Sequence, residues 1–152
     1  MTLPVVGAAA PDFALASTAG TQVRLSDLKG KKVLLAFFPL AFTSTCTTEV
    51  SAFSEDTDQF EAGETVVLPI SVDSVATLKE FKAKEHLKVD MLSDFKRDVS
   101  RLYGILLEDK FYSNRAYFLV DRKGVLRWAF VEPTPSSRRE NSEILKQISA
   151  ID

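Results

Sequence analysis

The residue type best suited to redox chemistry occurs once in the chain, at Cys46. It closes the segment Pro39-Leu40-Ala41-Phe42-Thr43-Ser44-Thr45-Cys46. We expect the Thr43 hydroxyl to cap a helix; with Thr43 as the N-cap, Cys46 is the third helical residue and lies in the first turn. Unpaired N–H groups and the helix dipole favour an anion there, so the position suits a reactive thiolate. A buried structural cysteine would explain the same residues, because free cysteine is among the most buried residue types.

A strand and a helix are predicted to position Cys46. The continuous apolar run from Val33 to Phe38 predicts a strand buried on both faces. After Cys46, the apolar residues Val50, Phe53 and Phe60 recur on one face, which predicts a helix. The cysteine is therefore expected where a buried strand ends and a helix begins.

Strand and helix signals alternate along the rest of the chain without a linker. Hairpins are predicted near both ends, over residues 12–25 and 116–131. A second buried strand is predicted from Thr65 to Val72, with Pro69 near a bulge or an unpaired stretch because proline cannot donate to a ladder. Further helices are predicted over residues 75–86, 97–103 and 139–151.

This pattern predicts one α/β domain spanning residues 1–152. Its centre would be a mixed β-sheet flanked by helices, with a β-hairpin at the N-terminus. The arrangement is compatible with a thioredoxin-like fold.

Composition and charge argue against several classes of partner. A formal net charge of −2 gives no electrostatic reason to expect nucleic acid or an anionic membrane surface. No apolar run reaches the ~18 residues that span a bilayer, and the N-terminus lacks the pattern of a secretory signal. We therefore expect a cytoplasmic protein, and the single cysteine, which cannot form an intrachain disulfide, agrees with a reducing compartment. His86 is the only histidine, and no residues predict a metal or another cofactor.

The motif around Cys46 resembles that of a known family. The pattern Pro39-x-x-x-Thr43-x-x-Cys46 is similar to the P-x-x-x-T-x-x-C motif of the peroxiredoxins, which are thiol-dependent peroxidases. The resemblance continues over residues 10–15, 92–94, 103–104 and 114–121, and so along most of the chain. The most similar groups are the alkyl hydroperoxide reductase E-like and bacterioferritin-comigratory-protein-like ones.

The resemblance implies a role for each of five residues. Cys46 would attack a hydroperoxide and become a sulfenic acid. Thr43 would hydrogen-bond the peroxide, and Pro39 would close the pocket. Arg115 would hold the thiolate and stabilise charge on the transferring oxygens, while Glu49 would orient that arginine.

The chain departs from many of these relatives in its missing second cysteine. Position 51, where one group carries it, is Ser51. The resemblance therefore implies an external reductant, which would be thioredoxin, a glutaredoxin-type protein or a low-molecular-weight thiol. It also implies a homodimer.

Three other functions use the same cysteine. The first is a redox sensor or oxidation-triggered chaperone without turnover. The second is a thiol–disulfide exchanger, which the absence of a C-x-x-C motif disfavours. The third is a hydrolase with a Cys46–His86 pair, which nothing near His86 supports.

Overall fold

A mixed β-sheet forms the centre of the structure, a computed structural model that describes residues 2–151. Met1 and Asp152, the two ends of the expected domain, lie outside the described residues. The strands are β1 (Ala14–Ser17), β2 (Gln22–Arg24), β3 (Lys32–Phe37), β4 (Thr65–Ser71), β5 (Leu92–Ser93), β6 (Leu106–Leu107), β7 (Tyr112–Ser113), β8 (Ala116–Val120) and β9 (Leu126–Val131). The helices are α1 (Ser44–Glu55), α2 (Thr57–Ala62), α3 (Val75–Lys84), α4 (Asp98–Leu102) and α5 (Asn141–Ser149), with a 3₁₀ turn at Leu25–Leu28.

The order of strands in the main sheet is β2-β1-β5-β4-β3-β8-β9, and β6 and β7 form a separate small pair. Strands β3, β4 and β5 run parallel to one another, whereas β1 and β8 pair antiparallel with their neighbours. The hairpins β1–β2 and β8–β9 confirm the two predicted near the chain ends. This mixed sheet confirms the predicted α/β, thioredoxin-like fold.

Strand β3 lies at the centre of the core. All six of its residues are buried, as the apolar run predicts. Because side chains alternate across a sheet, Leu34 packs with α1 on one face and Leu35 packs on the other. Val50 and Phe53 attach α1 to the first face, and each such burial contributes about 1.5–3 kcal/mol. This packing holds α1 against the sheet, and Cys46 from its first turn belongs to the same core cluster.

The single helix predicted after Cys46 is two helices in the structure, α1 and α2, which meet at Asp56. There the hydroxyl of Thr57 donates to the carbonyls of Phe53 (3.3 Å) and Ser54 (2.8 Å). A side chain that bonds to the final carbonyls of a helix competes with its continuation. Phe53 and Phe60 therefore pack together from two consecutive helices, with ring centroids 5.8 Å apart.

Pro69 lies within the ladder between β3 and β4, opposite Ala36, and the register there has no bulge. The carbonyl of Ile70 accepts from the N–H of Phe38 (2.9 Å), so the polar backbone groups of Ile70 face β3. The polar backbone groups of Pro69 point away from β3, toward β5. The ladder with β5 begins only at Leu92, opposite Ile70, so it does not reach Pro69. The missing N–H of the proline thus falls where the sheet is unpaired.

No helix within residues 2–151 is long and apolar enough to cross a membrane.

Candidate active site

Cys46 is the third residue of α1 and lies in its first turn, just beyond the end of β3. Thr43 precedes the helix with an extended backbone (φ −86°, ψ 155°), so it occupies the N-cap position that the spacing predicts. The cysteine side chain is almost fully buried, with 1% of its surface exposed. Burial alone agrees with a structural cysteine, so its neighbours decide what it can do.

Thr43 does not cap the helix with its side chain, which corrects the expectation that its hydroxyl caps α1. The hydroxyl instead donates to the carbonyl of Leu40 at 2.7 Å. Phe42 lies between them with φ 67°, and this left-handed residue turns the chain back on itself. With its hydrogen committed to Leu40, the Thr43 oxygen can only accept a hydrogen bond from a ligand.

Arg115 lies next to Cys46 although 69 positions separate them in sequence. Strand β8 pairs antiparallel with β3, and Ala116 lies opposite Phe37 at the end of β3. That register brings the residue before β8 to the start of α1. The guanidinium, 1% exposed, donates from Nη2 to Cys46 Sγ at 3.1 Å. A guanidinium in a buried site stabilises negative charge on sulfur far more than it would in water.

The carbonyl of Pro135 and the carboxylate of Glu49 fix the orientation of Arg115. The guanidinium donates from Nε and Nη2 to the Pro135 oxygen (3.2 and 2.9 Å) and from Nη1 to Glu49 Oε1 (2.6 Å). Burial lowers the pKa of Arg115, but Glu49 and Cys46 outweigh it and hold that pKa above its ordinary value. The arginine is therefore charged and held by three partners.

Glu49 lies three residues after Cys46, on roughly the same face of α1, and is 1% exposed. Burial raises the pKa of Glu49, while Arg115 and the hydroxyl of Tyr117 oppose that rise by donating to its two oxygens. The charge of Arg138 also favours the carboxylate. Glu49 and Arg115 form a buried ion pair, and the pKa of Glu49 stays above its ordinary value because burial outweighs these donors and charges.

Sequence reasoning missed several contributors to this site. Tyr117 had a signal, because it follows Arg115 by two residues in a strand and so lies on the same face. Arg138 lies between the predicted hairpin over residues 116–131 and the predicted helix over residues 139–151, in a stretch for which no element is predicted. Pro135 contributes a main-chain oxygen, and no residue type in the sequence identifies such a contact.

A small pocket of about 210 Å³ opens onto these groups. Pro39, Thr43, Cys46 and Arg115 all line it, so the structure brings these predicted residues together, and Glu49 lies behind Arg115. The remaining wall comes from Leu40, Ser44, Thr45, Tyr112, Pro135 and Ser136. Larger cavities of about 690 and 500 Å³ lie elsewhere and contain none of the five. Within residues 2–151, no group of three or more His, Cys, Asp or Glu side chains is arranged to hold a metal ion.

The arrangement suits attack on a small electrophile that carries its own O–H group. The sulfur supplies the nucleophile, and Thr43 supplies an acceptor for that O–H group. Arg115 faces the sulfur and the pocket at once, so it can stabilise charge on both reacting partners.

Comparisons with known proteins agree with this chemistry. A profile of the AhpC/TSA family matches residues 6–129 of the chain. The chain is 36% identical to peroxiredoxin-2 of Mus musculus over 155 residues, which cover 95% of this chain and 78% of the relative. It is 35% identical to the chloroplastic 2-Cys peroxiredoxin BAS1 of Hordeum vulgare, covering 98% and 76% of the two chains. The structure of reduced 2-Cys peroxiredoxin from Plasmodium vivax superposes with a TM-score of 0.89 at 33% identity, covering 97% and 82%.

Proposed function

Because the chain belongs to the AhpC/TSA family, which includes the peroxiredoxins, it is a thiol-dependent peroxidase, and we propose that Cys46 is its peroxide-reducing thiol. The observation that carries this proposal is the 3.1 Å contact between the buried Arg115 guanidinium and Cys46 Sγ. A merely structural cysteine does not need a buried guanidinium directed at its sulfur from the wall of a small pocket. Such a guanidinium suits a sulfur that reacts as an anion.

The proposed reaction begins with the Cys46 thiolate attacking the terminal oxygen of a hydroperoxide. The S–O bond forms as the O–O bond breaks, and the departing oxygen takes up a proton to leave as water or an alcohol. The sulfur is oxidised to a sulfenic acid, and the peroxide is reduced.

The other four residues assist that displacement. Thr43 accepts the hydrogen bond of the peroxide O–H, which aligns the O–O bond with the sulfur. Arg115 stabilises the charge that spreads from the sulfur to the departing oxygen, and Glu49 keeps Arg115 in position. Pro39, buried in the pocket wall, limits access of water to the sulfur.

Regeneration requires a thiol from another molecule, because position 51 is serine and Cys46 is the only cysteine of the 152 residues. The incoming thiol attacks the sulfenic acid, releases water and leaves a mixed disulfide. A second thiol then reduces that disulfide and frees Cys46. The family implies a hydroperoxide substrate and a thioredoxin-type reductant. We propose that thioredoxin, a glutaredoxin-type protein or a low-molecular-weight thiol performs this step.

Steady-state turnover tests the proposal against a sensor or an oxidation-triggered chaperone. Reduced protein is mixed with excess hydrogen peroxide and, in separate runs, with a thioredoxin system, a glutaredoxin system or a low-molecular-weight thiol, and peroxide consumption is measured. We expect many equivalents consumed per protein, and none above background with Cys46→Ser. Ser51→Ala serves as the matched control and should turn over as the native chain does. Consumption that stops after one equivalent with each of the three reductants would instead identify a sensor.

We further propose a single domain over residues 1–152 that works as a cytoplasmic homodimer. The dependence on a reducing thiol supports the compartment. Exposed aromatic side chains support self-association, since Phe42, Phe95 and Phe111 are 46%, 60% and 49% exposed. Arg97 stacks on the last two, 5.6 and 4.2 Å from their centroids, and so holds them in place. Sedimentation equilibrium should give twice the chain mass, and a monomer at micromolar concentration would exclude the dimer.

A further inference from the structure

Tyr117 connects the two supports that hold Arg115. We propose that Tyr117 is a positioning residue for peroxide reduction, with its hydroxyl holding Glu49 and the loop before α5 in the arrangement that orients the arginine. This inference rests on the proposed role of Cys46 and Arg115. It assigns to Tyr117 a function that acts through its neighbours and not on the peroxide.

The hydroxyl of Tyr117 has a partner on each side. It donates to Glu49 Oε2, on α1, and accepts from the backbone N–H of Arg139 at 2.9 Å, in the loop before α5. One oxygen atom thus joins a helix to a loop that is distant in sequence. Both partners come from buried or half-buried residues, where a lost hydrogen bond is costly.

The same helix and the same loop provide the two anchors of Arg115. Glu49 on α1 accepts from Nη1, and the carbonyl of Pro135, four residues before Arg139, accepts from Nε and Nη2. A shift of either anchor would turn the guanidinium away from the sulfur, which lies 3.1 Å from Nη2. Tyr117 fixes both anchors relative to each other.

The ring of Tyr117 is held rigidly enough for this task. Tyr117 is fully buried, and its ring stacks on Trp128 with centroids 6.2 Å apart and an interplanar angle of 28°. Trp128 in turn stacks on Phe130, and the guanidinium of Arg139 covers Phe130 at 4.4 Å. Arg139 therefore contacts both ends of the stack, through its N–H at Tyr117 and its side chain at Phe130. The hydroxyl has little freedom to leave its two partners.

Removing that hydroxyl has a predictable electrostatic consequence at Glu49. The groups that act on its carboxylate are Arg115 just before β8, Tyr117 within β8, and Arg138 from the loop before α5. Without the hydroxyl, Glu49 loses one of its hydrogen-bond donors while it stays buried, so its ionised form becomes less stable relative to its protonated form. Protonation, and with it the release of Arg115, should then occur at a higher pH.

The decisive comparison is between Tyr117→Phe and Tyr103→Phe. Tyr103 is also fully buried, and its hydroxyl donates at 2.6 Å to the carbonyl of Pro11, away from the pocket. Each variant loses one buried hydroxyl and keeps its ring, so Tyr103→Phe controls for the general effect of losing a buried hydroxyl. Their second-order rate constants for hydrogen peroxide are measured by stopped flow across the acid range.

We expect Tyr117→Phe to react at least about tenfold more slowly than the native chain. The acid limb of its pH–rate profile should lie about one pH unit higher. The rate constant of Tyr103→Phe should stay within about twofold of the native value, and the acid limb of its pH–rate profile should not move. Equal rates and limbs for both variants would overturn the role of Tyr117 while leaving Cys46 as the peroxidatic residue. A Tyr117→Phe protein that fails to fold when Tyr103→Phe folds would likewise refute a role limited to positioning. A native chain that does not react would contradict the proposed function itself.

Discussion

Substituting lysine for Arg115 keeps a positive charge beside Cys46 but removes the geometry of the guanidinium. The native side chain reaches Glu49 at 2.6 Å from Nη1, and it reaches both Cys46 (3.1 Å) and Pro135 (2.9 Å) from Nη2. Lysine carries a single ammonium nitrogen on a flexible stem, which cannot reproduce that planar fork. We expect the ammonium to stay with Glu49, the other charged partner, and to leave the sulfur without its directed donor.

The size of the effect separates two roles of Arg115. A thiol with an ordinary pKa of about 8.5 is roughly 3% ionised at neutral pH, so thiolate formation alone is worth at most about thirtyfold in rate. Loss of one donor aimed at developing charge typically costs about 100- to 1,000-fold, or about 2.7–4 kcal/mol. Arg115→Lys should therefore slow peroxide reduction by more than thirtyfold if the arginine also acts on the transition state.

The assay combines stopped-flow kinetics with the ultraviolet absorbance of the thiolate over a pH series. Dividing each rate constant by the thiolate fraction removes the contribution of ionisation. We expect a deficit of at least about tenfold to persist after that division. Arg101→Lys is the matched control, because Arg101 forms an exposed ion pair with Glu108 at 3.3 Å. A deficit that vanishes on division would refute the transition-state role of Arg115.

Substitutions at three further positions test other parts of the mechanism and of the fold. Thr43→Val should lower the second-order rate constant for peroxide at least about tenfold, whereas Thr43→Ser should stay near the native value, because only valine removes the acceptor oxygen. Equal stopped-flow rates for the two variants would contradict that role of Thr43. Burial raises the pKa of Glu49, so activity should fall as pH drops through that raised pKa and the carboxylate is protonated. Glu49→Gln should be slower at neutral pH and lose less on acidification, and an unchanged pH–rate profile would argue against the ion pair. Burial also acts to raise the pKa of Asp121, but hydrogen bonds from Val125, Lys123 and Arg127 lower it overall. Its stabilisation is present above the unfolded pKa of about 3.9 and is lost as pH falls through the lower folded value. Asp121→Asn should therefore cost about 1–2 kcal/mol in urea unfolding at neutral pH, with the difference shrinking in acid; a constant difference would contradict the assignment.

The location of Cys46 followed from the sequence because its determinants are local. A buried apolar strand, a proline and a threonine at fixed spacing are enough to predict a cysteine in the first turn of a helix. The contact with Arg115 depends on the pairing of β8 with β3, which local patterns do not specify. The family resemblance supplied that pairing indirectly, by matching the segment around Arg115.

The hydrogen bonds of the site could be predicted less well from the sequence. The hydroxyl of Thr43 was expected to cap α1, but the left-handed turn at Phe42 brings the carbonyl of Leu40 within 2.7 Å of it. The carbonyl of Pro135 reaches Arg115 from a loop whose course depends on tertiary contacts. Tyr117 was within reach of the sequence, since strand alternation puts it on the same face as Arg115.

Rapid mixing of reduced protein with one equivalent of hydrogen peroxide tests most directly whether Cys46 is the peroxidatic residue. The reaction is followed by Trp128 fluorescence and by intact mass on quenched samples. We predict a fast fluorescence phase and the gain of one oxygen atom by the protein, both absent in Cys46→Ser. No mass change within minutes, or the same gain in Cys46→Ser, would contradict the account.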